Sequence, residues 1–164
     1  MTIIVKNKDT LIYDDFEFRC CVGKKGFVKR KIEGDKKTPI GIFSLGSIYY
    51  RKDKKHKPVS KLKSISIKKN MGWCNDERSK KKYNTLINTN LKFKHEKLFR
   101  RDYKYDYLIP IKHNWYNKKI GCGSAIFIHL TKDFKPTAGC IGLLEKDLLI
   151  LLKLIKKNTK LKIL

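Results

Sequence analysis

The chain has 164 residues, 41% of them hydrophobic, enough for a single domain with a core of its own and no need of covalent staples. With 40 Lys and Arg against 15 Asp and Glu, the formal net charge is +25, which draws a protein toward anionic polymers. The basic residues are mostly lysines scattered among many Ile and Asn, as a drift toward AT-rich codons would leave them. No helix-turn-helix, zinc-finger or RNA-recognition signature accompanies them, so no obligate nucleic-acid partner is read.

In chain order, Thr2 to Val5, Thr10 to Tyr13 and Glu17 to Val22 are short strand-like runs separated by turn residues, and predict an N-terminal β-meander. A basic, turn-rich segment, Gly23 to Lys37, follows. Thr38 to Phe43 then leads into a strand over Ser44 to Tyr50. Arg51 to Lys61 reads as a charged loop, and Leu62 to Lys68 alternates apolar with polar residues. From Asn70 to Arg101 the pattern is irregular and polar, and an insertion of that length in a compact domain tends to carry function. Tyr105 to Ile111, Ile126 to Leu130 and Cys140 to Leu143 resume strand character. Glu145 to Lys157 predicts the one helix, with Leu148, Leu151, Leu152 and Ile155 on one face. Leu161 to Leu164 reads as a closing strand. No repeat, linker or second domain is visible, so residues 1–164 form one domain. The longest apolar run, Leu148 to Leu152 and on past Lys153 to Ile155, is too short to cross a bilayer. Met1 to Lys6 begins on a strand pattern, without the charged and apolar regions of a secretory signal.

The chemistry concentrates between Gly121 and Leu143. Two apolar segments end or begin there with His129 and Cys140, and a short excursion through Pro136 joins them in what reads as a hairpin-like return. An imidazole or oriented backbone amides beside a thiol can convert it to the nucleophilic thiolate. Gly139 precedes the cysteine, and a residue without Cβ lets backbone N–H groups turn toward a reacting carbonyl. A buried core cysteine with a hydrogen-bonded histidine is the alternative for any such pair. Five cysteines, Cys20, Cys21, Cys74, Cys122 and Cys140, leave at least one thiol unpaired in a monomer and show no zinc-ligand spacing, so no metal is assigned.

These residues resemble the L,D-transpeptidase (YkuD-like) catalytic domain. The anchors are Gly34-Asp35 before Thr38-Pro39-x-Gly41-x-Phe43, then Ile128-His129 and Thr137-x-Gly139-Cys140. Gly72-Trp73-Cys74, Tyr83-Asn84, His95-Glu96-x-Leu98-x-Arg100, Tyr105-Asp106 and Gly123-Ser124-Ala125-Ile126-Phe127 make it look like one bacterial branch. The resemblance implies a mainly β sandwich with one C-terminal helix and a long irregular insertion. It also implies a cofactor-free transferase of cell-wall biogenesis and cell shape, in which a peptidoglycan stem peptide is the donor and a neighbouring stem the acceptor, giving 3,3 or 1,3 cross-links. A periplasmic or envelope setting follows from the family. The chain as written shows no export route, and a cytoplasmic setting and the oligomeric state stay open. The family pattern Ser-His-Gly-Cys-x-Arg is departed from, with Ala138 in place of the second histidine and Gly142 in place of the arginine.

On this reading Cys140 is the nucleophile, His129 the general base, and Gly139 with the Cys140 amide the oxyanion donors. Trp73, Tyr83, His95, Arg100 and Thr137 are substrate-binding candidates. Arg100, one of few arginines in a lysine-dominated chain, suits a two-pronged grip on a carboxylate. Ordinary packing or a solvated charge is the competing role for each insertion residue. With water as acceptor the same machinery is a carboxypeptidase or amidase, and a non-enzymatic basic protein binding anionic polymers is the third reading.

Overall fold

The computed structural model describes residues 1–164. The strands are β1 (Thr2–Val5), β2 (Thr10–Tyr13), β3 (Phe16–Cys21), β4 (Phe27–Val28), β5 (Thr38–Pro39), β6 (Gly41–Ser44), β7 (Ile48–Tyr50) and β8 (Ser64–Ser66). They continue as β9 (Met71–Cys74), β10 (Leu86–Asn88), β11 (His95–Lys97), β12 (Tyr107–Pro110), β13 (Phe127–Leu130) and β14 (Ile141–Leu143). Helix α1 (Glu145–Leu154) and β15 (Lys160–Ile163) complete the chain.

Alternation of buried and half-buried residues in β1 and β2 builds the expected meander, β1 against β2 and β2 against β3, all antiparallel. Strand β3 then does two jobs. Its first four residues pair with β2, whereas Cys20 and Cys21 pair with Leu143 and Gly142 of β14. That strand joins two halves into one curled sheet of ten strands, ordered β6-β15-β1-β2-β3-β14-β13-β12-β7-β8. The halves close on a shared core in which Ile3, Val5, Leu11 and Leu161 meet Ile109, Ile128, Leu130, Ile141 and Leu143, giving a mainly β sandwich. Leu148, Leu151 and Leu152 of α1 are fully buried in the same core, each worth about 1.5–3 kcal/mol against exposure.

Four sequence expectations are corrected. The run Ser44 to Tyr50 is not one strand: Leu45, Gly46 and Ser47 carry the chain from β6 at one end of the sheet to β7 near the other. The helix stops at Leu154, because Ile155 turns to an extended conformation at φ −71°, ψ 151°. The insertion is ordered, with β10, β9 and β11 forming a small antiparallel sheet. Finally, β13 and β14 run parallel, with His129 opposite Gly142, so the segment between them is a crossover and not a hairpin.

The pleat of β13 and β14 then decides which side chains meet. Ile128, Leu130, Ile141 and Leu143 face the sandwich core. Phe127, His129, Cys140 and Gly142 occupy the other face by the period-two rule, together with Leu108 and Tyr49. There the small sheet supplies Trp73, and Leu98 follows β11, forming a second apolar cluster with Tyr105 and Phe127. The insertion is thus the lid of the face that carries the cysteine and the histidine.

Candidate active site

Cys140 and His129 line one cavity of about 540 Å³ between this face and the insertion. Its size suits a small organic or peptide ligand. The Cys140 thiol donates to the Ala125 carbonyl at 3.4 Å and its Sγ accepts the Phe127 N–H at 3.4 Å. His129 Nδ1 lies 2.9 Å from the Leu130 carbonyl. A carbonyl only accepts, so Nδ1 carries the proton and Nε2 keeps a free lone pair. The edge of Tyr105 packs on the imidazole, with ring centroids 5.6 Å apart. Thiol and imidazole share the cavity without a direct hydrogen bond. The thiol proton must swing from the Ala125 oxygen to reach a base.

Burial sets the charge states. Loss of solvent pushes the Cys140 thiol up to about 12, against the lowering effect of the Phe127 N–H, and pushes His129 down to about 4. The resting pair is therefore neutral thiol and neutral imidazole. No thiolate is preformed, and the imidazole does not keep the ordinary histidine value near neutrality. Such a site moves its proton only as a new bond forms.

The loop before Cys140 is held from three sides. Thr137 Oγ1 donates to the Cys140 carbonyl at 2.6 Å and accepts the Gly139 N–H at 3.1 Å. The Gly139 amide is thereby spent, which removes it as an oxyanion donor. What Gly139 supplies is conformation: its φ is +140°, and a Cβ there would lie 2.8 Å from the Lys37 carbonyl oxygen. Buried Thr38 accepts the Gly23 N–H at 2.8 Å and donates to the Gly139 carbonyl at 2.9 Å. Pinning that oxygen fixes the Gly139–Cys140 peptide plane, so the Cys140 N–H points the opposite way. It is not used in any turn or loop hydrogen bond, which leaves this N–H free.

Of the insertion residues named from the sequence, only Arg100 reaches the cavity. Its guanidinium is already held by Asp102, at 3.0 and 2.5 Å, and by Glu96 at 3.3 Å, and lies over the Tyr105 ring. Glu96 in turn accepts the Tyr105 hydroxyl at 2.9 Å. Arg100 thus orders Tyr105, which orders His129. Trp73 is buried between Tyr49, Trp115 and Phe127 and donates Nε1–H to Asn84 at 2.9 Å. Tyr83 is fully buried, with its hydroxyl on Glu33. His95 sits on β11, its Nδ1 2.7 Å from the Phe93 carbonyl. None of these three lines the cavity; they build its lid.

The cavity also contains charged residues that sequence reading passed over. Lys31 is paired with Asp35 at 2.5 Å, and Lys135 with Asp133 at 3.1 Å. Lys104 is the one lining cation without an acidic partner, and Glu33 the one lining carboxylate without a basic one. Glu33 had no motif to announce it beyond its place before Gly34-Asp35.

A profile of the L,D-transpeptidase catalytic domain (YkuD) matches residues 1–163. Among solved structures, Bd1075 of Bdellovibrio bacteriovorus is 15% identical with a TM-score of 0.52, covering 99% of this chain and 47% of that one. The helical cell shape determining protein Pgp2 of Campylobacter jejuni is 18% identical with a TM-score of 0.50, again covering 99% of this chain and 47% of that one. At these identities the likeness is one of fold. The chain spans about half the length of either structure. No curated protein matches it.

Proposed function

From the premise that this chain belongs to the L,D-transpeptidase (YkuD) catalytic-domain family, we propose that it is a cysteine acyltransferase acting on peptidoglycan stem peptides. The observation that carries this is the joint placement of Cys140, the free Nε2 side of His129 and the unspent Cys140 N–H on one cavity.

In the proposed reaction, Cys140 Sγ attacks a stem-peptide carbonyl as its proton passes to His129 Nε2. The carbonyl oxygen takes up charge against the Cys140 N–H. The tetrahedral adduct collapses, the C–N bond breaks, and the amine leaves with the proton from His129. A thioester remains. The amine of a second stem attacks it, His129 accepts that proton, and the C–S bond breaks with return of the proton to the thiolate. Because both groups rest neutral, the charge separation is carried by the oxyanion and imidazolium together, inside the cavity. Lys104, beside His129, is the free cation for a donor carboxylate, and Arg100 acts on that wall as a positioning residue. A role in cell-wall shaping follows from this chemistry, as a proposal for this chain.

The test is mass spectrometry of the intact protein and its products after incubation with purified muropeptides. Wild type should acquire one acyl adduct on Cys140 and release cross-linked dimers, while folded Cys140→Ala should do neither. Dimers formed by Cys140→Ala would overturn the cysteine mechanism. Hydrolysed monomers alone would make water the acceptor and the protein a carboxypeptidase.

A further inference from the structure

Two segments beside the cavity meet on a surface that acyl transfer does not use. The first, residues 76–83, leaves the cavity wall after Asn75, and the second, residues 112–121, returns to it by Ser124. Lys118 joins them, its Nζ donating to the Lys81 carbonyl at 3.2 Å and the Tyr83 carbonyl at 3.0 Å. The second segment is a closed loop of fixed shape. Asn114 accepts the Lys119 N–H at 2.9 Å and donates to the Lys119 and Gly123 carbonyls at 2.9 and 3.0 Å. Buried Asn84 donates to the His113 and Asn114 carbonyls at 2.9 and 3.0 Å, and Trp115 anchors the loop from beneath, its ring centroid 5.8 Å from that of Trp73. What this framework presents outward is Tyr116, 73% exposed, and Ile120, 38% exposed. Around them stand Lys80, Lys81, Lys82, Lys118 and Lys119, none of which has an acidic partner among the chain's ion pairs. Asp76 is taken by Arg78, so Glu77 is the one carboxylate left on either segment.

A basic run alone is a solvated face. A rigid loop that holds an aromatic and a branched aliphatic side chain in water, within a ring of unpaired ammonium groups, suits a partner with an anionic skin and an apolar layer beneath it. A linear polyanion offers the charge but nothing for Ile120. An anionic bilayer offers both, since tyrosine settles at the headgroup level, lysine stems lie along apolar surface, and their charges meet the lipid phosphodiesters. We propose that residues 76–83 and 112–121 form a docking face for an anionic lipid surface, with Tyr116 and Ile120 entering the headgroup layer. The proposal goes beyond the acyl-transfer reading and does not depend on it. Because Asn75 and Ser124 line the cavity, docking on this face sets the cavity beside the lipid.

The experiment is flotation of the protein with phosphatidylcholine vesicles, with and without phosphatidylglycerol. Wild type should float with the phosphatidylglycerol vesicles and not with phosphatidylcholine alone. Lys80→Gln/Lys81→Gln should lower partitioning by about 20- to 30-fold, at about fivefold for each lysine near an anionic surface. Lys156→Gln/Lys157→Gln, which removes the same charge from exposed positions outside both segments, should lower it far less. Tyr116→Ser should lower it by about 5- to 10-fold without changing retention on heparin, which has no apolar layer. Wild type that fails to float with phosphatidylglycerol vesicles would overturn the proposal. Equal losses for the two lysine pairs would overturn it in favour of the summed charge of the chain, and undiminished flotation of Tyr116→Ser would overturn it in favour of a polyanion.

Discussion

Burial of a neutral imidazole beside a neutral thiol makes His129 a stability determinant, whatever its part in the chemistry. Its folded-state pKa, about 4, lies below the ordinary value of 6.5, so below pH 6.5 the unfolded chain binds a proton that the folded chain resists. Full stability therefore holds above about pH 6.5, and about 3 kcal/mol is lost as pH falls through 4. Replacing His129 by Phe removes that titration, and urea midpoints between pH 6.5 and 4 should then vary less by roughly that amount; an unchanged profile would mean the imidazole is more hydrated than its burial indicates. At this scale the sequence was informative about Cys140 and His129, whose flanking residues form a local pattern. It was silent about Glu33, because its setting depends on Tyr83 and Ser124, 50 and 91 residues away. Trp73, Tyr83 and His95 were singled out as substrate-binding candidates, whereas here they pack within the insertion and against the residues beneath it without lining the cavity.

Among the elements, the parallel pairing of β13 and β14 is what brings His129 and Cys140 to one face, and it could not be read from composition. A parallel pair and a hairpin present the same alternation of side chains; only the crossover through Thr131 to Cys140 distinguishes them. The short strands of the insertion were missed because three or four residues with mixed polarity give too little period to detect. Strand β5, two residues long at Thr38–Pro39, was not read as a strand either, and its Thr38 leads to a test. Thr38→Val keeps shape but frees the Gly139 carbonyl, loosening the peptide plane that aims the Cys140 N–H. The expected result is a kcat lower by about 10- to 1,000-fold with little change in KM, restored in part by Thr38→Ser. A rise in KM with kcat unchanged would assign the threonine to substrate binding instead.

For the molecule as a whole, the sandwich follows from alternating strands and one amphipathic helix, both legible in sequence, whereas the order of the strands is not. The charge of +25 belongs to this scale too. Attraction to an anionic polymer depends on the summed field and on counterion release, not on the site. Retention on an anionic polymer such as heparin should weaken steeply between 50 and 200 mM salt and be the same for wild type and Cys140→Ala. Retention that depends on Cys140 would transfer the effect from surface to site.

The pairing of β14 with β3 beside the cavity also limits the mutational paths open to this protein. A Cβ on Gly142 would lie 2.6 Å from Cys21 Sγ and 3.2 Å from Thr131 Cβ, so an arginine at 142, where the family pattern has one, and a cysteine at 21 compete for the same space. The two positions are epistatic. Gly142→Arg alone should destabilise the fold, and Cys21→Ala should relieve much of that loss, a non-additivity measurable by a double-mutant cycle. Additive effects would show that the strand pair can separate at no cost. A chain holding this glycine and this cysteine could take an arginine at 142 readily only after the thiol is lost, so the order of substitutions, and not only their merit, decides which sequences it can reach.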